Sequence, residues 1–312
     1  MINKIFSKEF VKGRLLGGDA LGRLRRLDRE IEQLRLQVGQ LQTALQKMHG
    51  GGLRESEFTV FSQFGEDGIL QYLIRHCDQV PTSFVEFGVE DYREANSKLL
   101  LQQDNWRGLI LDGSEAAMAA VRSRDLCWRF DLTAVAAFIT RENINGLIRD
   151  NGFAGPLGVL SIDIDGNDYW VWERIDVVDP VIVVAEYNSV FGGTRAVSVP
   201  YDPAFVRGKA HHSNLYWGCS LAALVHLADR KGLDFVGCNR AGNNAFFVKR
   251  GRSDLRPISP AEGFVESRFR ESRDAEGNLT FLTGADRLRA IHDLPLQDVV
   301  SATTIRCGDL LE

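Results

Sequence analysis

The sequence predicts an α/β fold built on a mostly parallel, doubly wound sheet, and three observations carry that reading. Short apolar runs recur along the middle of the chain and carry acidic or amide residues at or near their ends: SFVEFG, GLILD, CWRFD, LSIDID and VIVVAEYN. Segments with apolar residues at helical spacing separate them, and strands that alternate with helices make parallel sheets with right-handed crossovers. Residues 234–238 and 245–249 then read as two strands joined through 239–244, an antiparallel pair at the sheet edge.

Composition narrows the class of protein. At 312 residues with 44% hydrophobic content the chain can bury a sizeable core. Lys+Arg 37 against Asp+Glu 42 gives a formal charge of −5, which offers no general attraction to nucleic acid. The five cysteines, Cys77, Cys127, Cys219, Cys238 and Cys307, are odd in number, scattered and free of a CxxC pair. Neither a disulfide framework nor a zinc site is indicated, and a reducing cytoplasmic location is expected. No secretory leader core is visible, and no window approaches the roughly 18 apolar residues that span a bilayer.

Residues 1–16 mix Ile2, Ile5, Phe6, Phe10 and Val11 with Lys4, Lys8 and Lys12, a basic amphipathic segment able to touch a membrane surface weakly. Residues 17–52 follow as a coiled-coil helix and glycine hinge. Leu24, Ile31, Val38 and Leu45 hold the a positions and Leu27, Leu34, Leu41 and Met48 the d positions. β-Branched residues at a with leucine at d, and opposite charges in the pairs Arg23–Asp28 and Glu30–Arg35 between copies, predict a parallel dimer. A single helix lying on its own catalytic domain is the rival, and Gly39 weakens the helix by ~1 kcal/mol relative to alanine. His49-Gly50-Gly51-Gly52 ends the helix.

The globular domain is drawn as 53–250, with 251–312 as a covering segment or lid. Within 58–76, SQFGEDG reads as a polar turn leading into an amphipathic helix, its acids Glu66 and Asp67 lying in the first helical turn, where negative charge is favourable whatever the function. The strand 83–88 precedes a helix over 96–103, the strand 108–112 follows, and 127–131 reads as a third strand before a helix over 134–149. LGVLSIDIDGNDYWVWE, 157–173, reads as strand, sharp turn and helix. The strand 181–188 comes next, then a loop over 191–213 with His211-His212, a candidate lid, and a helix over 220–231.

Acids at successive strand ends imply a polar crevice, because ligands of open α/β sheets bind at the carboxyl ends of the strands. Glu86, Asp112 and Asp131 suit a nucleoside, since one carboxylate accepts two hydrogen bonds from vicinal ribose hydroxyls and another accepts from an adenine amino group. Gly88 would let such a ligand approach the backbone. Asp163 and Asp165 share strand parity, as do Glu186 and Asn188, and on adjacent strands they form a hard-oxygen set suited to Mg²⁺ or Ca²⁺, the rival being acids that hydrogen-bond a sugar directly. Asp168 reads as a helix-start residue.

SQFGEDG, FVEFGV, GLILDGSE and LSIDIDGNDYW together resemble the FkbM-like branch of the class I S-adenosylmethionine-dependent methyltransferases, over roughly residues 58–250. The resemblance implies a Rossmann-like fold and O-methyl transfer to a hydroxyl of a glycan or nucleotide-sugar. It assigns Glu86 and Gly88 to the loop holding methionine and ribose, Asp112 to the ribose and Asp131 to adenine. The chain departs from the pattern after Gly88, where Val89-Glu90-Asp91-Tyr92 stands in place of further glycines, so Asn96 or Ser97 is expected to add cofactor contacts. The pair of acid-bearing strands is also similar to the Mg²⁺ site of catechol-type O-methyltransferases. Removing the acceptor proton requires a metal or a base, and Asp165, His211 and His212 are the candidates for base. The rivals are a metal-dependent enzyme with other chemistry, such as hydroxylation, and a non-catalytic coiled-coil scaffold. A dehydrogenase is disfavoured by the missing GxGxxG.

Overall fold

A computed structural model describes residues 18–311; the basic segment 1–16 lies outside the described residues. One seven-stranded sheet organises the molecule. Its strands are β1 (Ser83–Phe87), β2 (Arg107–Asp112), β3 (Leu132–Ala136), β4 (Gly155–Ile162), β5 (Val178–Glu186), β7 (Leu233–Cys238) and β8 (Asn244–Lys249), in the order β3-β2-β1-β4-β5-β8-β7. The first five run parallel, whereas β8 lies antiparallel to both β5 and β7. The doubly wound sheet with an antiparallel hairpin is therefore present, and the order reverses between β1 and β4, where such sheets bind ligands.

Strand alternation sorts the core into two layers. Val85, Phe87, Leu109, Leu111, Leu160 and Ile162 face one side and pack on the helices Ile144–Asp150, Asp168–Arg174 and Leu221–Arg230. Phe84, Ile110, Val159, Ile182 and Val184 face the other, beneath the helices Glu66–His76, Lys98–Asp104 and Glu115–Arg122. Gly108 and Gly158 are small because neighbours occupy their Cβ positions: the Phe84 ring lies 2.1 Å from one, the Pro81 carbonyl 2.0 Å from the other.

Two expectations are corrected. Residues 127–131 are not a strand: Leu126–Arg129 is a short helix and β3 begins after Asp131. The helix expected over 134–149 shrinks to Ile144–Asp150, because residues 132–136 are the strand. Apolar alternation in CWRFD mimics a strand, yet Trp128 is 78% exposed, so its ring does not supply core.

A second, three-stranded antiparallel sheet joins β6 (Val197–Ser198), β9 (Pro295–Asp298) and β10 (Thr304–Arg306), with β9 in the middle. Phe191, Val197, Leu215, Leu288, Ile291 and Leu296 form its core. Residues after 250 thus pair with residues before it, across the boundary drawn there.

The N-terminal helix Gly18–His49, α1, lies against the domain and still exposes its heptad seam. Glu32, Leu36, Gly39, Thr43 and Gln46 form the docked face. Lys98 Nζ meets Glu32 at 2.8 Å while stacking over Phe61, and Leu36 joins Val60, Phe61 and Leu99. Gln46 Nε2 donates to the Ser56 and Gly68 carbonyls at 2.8 Å each. A Cβ on Gly39 would come within 2.9 Å of Val60, so the residue that weakens the helix lets it approach the domain.

Candidate active site

A cavity of about 860 Å³ opens at the carboxyl edge of β1, β2, β4 and β5, where the strand order reverses. Glu86, Gly88, Asp112, Asp163, Asp165 and Glu186 border it from four strand ends, and Asn96 joins them from the loop before the helix Lys98–Asp104.

On the β1–β2 side the geometry is set by backbone. Gly88, at φ +71°, donates its N–H to the Leu111 carbonyl at 3.0 Å. An added Cβ would fall 1.6 Å from the Asp163 carbonyl oxygen, so the need for glycine here arises from the β4 turn itself. Glu86, 4% exposed, accepts from the Asn96 N–H at 2.8 Å and the Ser97 N–H at 3.0 Å, and the Ser97 hydroxyl also donates to it. Burial pushes its carboxyl above the usual range, and these hydrogen bonds draw it partly back. Its role is to fix the loop that follows Gly88. Asn96 turns its amide to Ser161 Oγ at 3.1 Å. Asp112, half-buried, accepts from the Glu90 and Ser114 amides at 2.8 and 2.7 Å, which orients its carboxylate at the cavity rim.

Asp131 does not reach this cavity. It precedes β3 at the opposite edge of the sheet, exposed beside Arg107 at 3.5 Å. At the true end of β3 the cavity is bordered by Ala137, Phe138 and Ile139 instead, with Phe138 51% exposed. The sequence signal was available: LTAVA alternates as a short strand, and Phe138 follows it.

On the β4–β5 side, carboxylate oxygens of Asp163, Asp168 and Glu186 lie within 4.8 Å of one another. Burial pushes the carboxyls of Asp163 and Glu186 well up, and the neighbouring acids push further. Asp168 is held by hydrogen bonds from the Ile164 and Gly166 amides at 2.8 and 2.9 Å, yet burial still raises its carboxyl to about 6. It opens the helix Asp168–Arg174 and also faces the acid cluster. Among the described residues Glu186 Oε2 is buried with no hydrogen-bond partner. Three hard carboxylates, one with an orphaned oxygen, fit a divalent cation such as Mg²⁺.

Asp165 and Asn188 lie outside that set. Asp165, exposed and at φ +55°, pairs with Arg207 Nη1 at 2.7 Å. The Asn188 amide donates to the Leu215 and Trp217 carbonyls at 2.9 Å each and accepts from the Val190 N–H, so it is spent on its own loop. His211 and His212 border neither this cavity nor the adjoining one. His211 instead contacts Ser213 Oγ at 2.8 Å.

A second cavity of about 340 Å³ adjoins the first and shares Gln63, Glu186, Arg207, Asn243 and Glu271 with it. Phe64, Trp217, Phe269 and Arg270 complete its character, with the Arg207 guanidinium 4.6 Å over the Trp217 ring. Sequence reasoning missed Arg207, because an arginine in a long polar loop carries no local signature. SQFGEDG proves largely structural. Glu66 accepts from Asn239 and Asn244 of the β7–β8 hairpin at 2.7 and 2.8 Å, and Asp67 accepts from the Val60, Phe61 and Ser62 amides at 2.7 Å each.

No family model matches the chain, and no curated protein does. Solved structures resemble it only distantly. The CMeT domain of the citrinin polyketide synthase matches at 12% identity, over 59% of this chain and 50% of that one, with a TM-score of 0.38. An O-methyltransferase family protein from Burkholderia thailandensis matches at 12% identity, over 59% and 58%, with a TM-score of 0.36. The N-terminal domain of EvdMO1 with SAH bound matches at 13% identity, over 68% and 96%, with a TM-score of 0.37. The chain spans about half the length of the first of these. Among the described residues, no helix is long and apolar enough to cross a membrane.

Proposed function

We propose that the chain is an S-adenosylmethionine-dependent O-methyltransferase of the FkbM-like kind, acting on a hydroxyl of a glycan or nucleotide-sugar with Mg²⁺ assistance. The observation that carries the reading is the division of one strand-end crevice into two chemistries: the Asp112 carboxylate and exposed Phe138 on the β2–β3 side, and the buried acids on the β4–β5 side. The first suits a ribose and an aromatic base; the second suits deprotonation of a hydroxyl.

S-adenosylmethionine, when bound, supplies a methyl carbon on a sulfonium that departs as a neutral thioether. Asp112 accepts hydrogen bonds from the ribose, and Phe138 offers its ring face to adenine. Asp163, Glu186 and Asp168 are the residues that would hold Mg²⁺, which lowers the pKa of an oxygen bound to it. Glu186 lines both cavities, and its carboxylate is the group we assign to receive the acceptor proton. This moves the role of base from Asp165, His211 and His212 to Glu186. Phe64, Trp217 and Phe269 give the second cavity ring faces for a sugar, and Arg207 and Arg270 favour an acceptor carrying phosphate.

Calorimetry of the full chain with S-adenosylmethionine, with and without Mg²⁺, tests the reading. Binding is expected, with Asp112→Asn weakening it by roughly 10- to 100-fold, the loss of a charge-assisted hydrogen bond. Glu186→Gln is expected to keep cofactor binding and lose methyl transfer to hydroxyl acceptors. No binding under either condition overturns the proposal, and metal binding without S-adenosylmethionine redirects it to other metal-dependent chemistry.

A further inference from the structure

The leucine seam of α1 faces away from the domain that the same helix is docked on. Leu24, Leu27, Ile31, Leu34, Val38, Leu41, Leu45 and Met48 are between 39% and 79% exposed, eight large apolar side chains along one face. They cover about 36 Å of helix at 1.5 Å per residue. Monomeric proteins rarely expose a contiguous apolar surface of this extent. The docked residues Glu32, Leu36, Gly39, Thr43 and Gln46 fall at the b and f positions of the same heptad register, opposite a and d. The chain's own domain therefore occupies the polar face and leaves the seam open.

We infer that this seam is an interface for a second copy of the same chain, in parallel orientation, so that α1 is clamped between its own domain and its partner helix. The occupant follows from the seam's composition. A 3.5-residue repeat is self-complementary through knobs-into-holes packing, and Ile31 and Val38 at a with Leu34 and Leu41 at d favour two parallel strands. Charge agrees: in that register Glu30 of one copy meets Arg35 of the other, and both side chains are exposed. An unrelated amphipathic helix would satisfy the apolar stripe without needing this pairing.

Sedimentation velocity of the full chain at about 10 µM is the test. A dimer is expected for the native sequence, and Leu34→Glu with Leu41→Glu is expected to give a monomer. Because neither side chain touches the domain, helical circular dichroism and domain melting should persist in that variant, which separates loss of the interface from loss of the fold. Glu30→Arg is expected to weaken the dimer several-fold and Arg35→Glu added to it to restore the native affinity. Oxidised Leu27→Cys should cross-link two copies, since d positions meet only in parallel coils. A native monomer, a dimer that survives the paired Glu substitutions, or failure of Leu27→Cys to cross-link overturns the inference. The result is independent of cofactor binding, so it stands or falls apart from the proposed activity.

Discussion

Glu186 and Asp163 concentrate the electrostatics of the site in one contact. Glu186 is buried and Asp163 half-buried, each beside another acid, and desolvation raises both carboxyls well above the usual range, with Asp168 at about 6. A folded-state pKa raised above the unfolded value contributes stability that is complete below the unfolded pKa of about 4 and is lost as pH rises through the folded value. The metal-free protein is therefore expected to melt at progressively lower temperature as pH climbs from about 4 through 6 and beyond. Mg²⁺ should recover the lost stability at pH 8 and do little at pH 5, where protons already neutralise the cluster. Thermal melts at the two pH values, each with and without Mg²⁺, check this; an equal Mg²⁺ effect at both would contradict it. Gly88 shows the opposite kind of residue, whose place is dictated by one carbonyl oxygen and a positive φ.

At the scale of elements, α1 and β3 show which signals a sequence displays. The heptad of α1 was legible because eight apolar residues repeat at a fixed period, and the hairpin was legible because two alternating runs flank a polar turn. The docked face of α1 was not legible: Glu32, Thr43 and Gln46 look like ordinary surface, and Gly39 looked like a defect until Val60 was found against it. β3 was misplaced because CWRFD and LTAVA both alternate, and only the register Gly108–Leu132 with β2 decides between them. That error carried Asp131 into the predicted site, whereas Glu86, Gly88, Asp112 and the β4–β5 acids were correctly read as strand-end residues. The Lys98–Glu32 pair makes the docked face testable. Lys98 is 4% exposed, and burial draws its ammonium below the ordinary value while Glu32 draws it back. Glu32→Ala would leave that charge without its carboxylate. The expected cost is about 2 kcal/mol, reduced from the fully buried case because Glu32 is partly exposed. Urea unfolding measures it, and Glu32→Gln, which keeps a hydrogen-bond acceptor, should cost less.

The whole molecule is more continuous than its sequence suggested. Residues after 250 looked like a cover, yet β9 is the central strand of the second sheet and Leu288, Ile291 and Leu296 complete its core with Phe191 and Val197. A chain ending at residue 250 is accordingly expected to expose that core and to lose cooperative melting, which calorimetric unfolding beside the full chain would show. An intact, cooperative transition in the shortened chain would mean the second sheet is an accessory. The same continuity governs the two cavities, which adjoin and share Gln63, Glu186, Arg207, Asn243 and Glu271 in their linings. Adjoining rooms with a common lining act as one chamber for a molecule long enough to span both. On the proposed reading of the two cavities, a single synthetic ligand, with an adenosine at one end joined by a short linker to a sugar at the other, would gain from both halves while losing its rigid-body freedom only once. For this protein a bisubstrate inhibitor is thus a more promising probe than a mimic of either half.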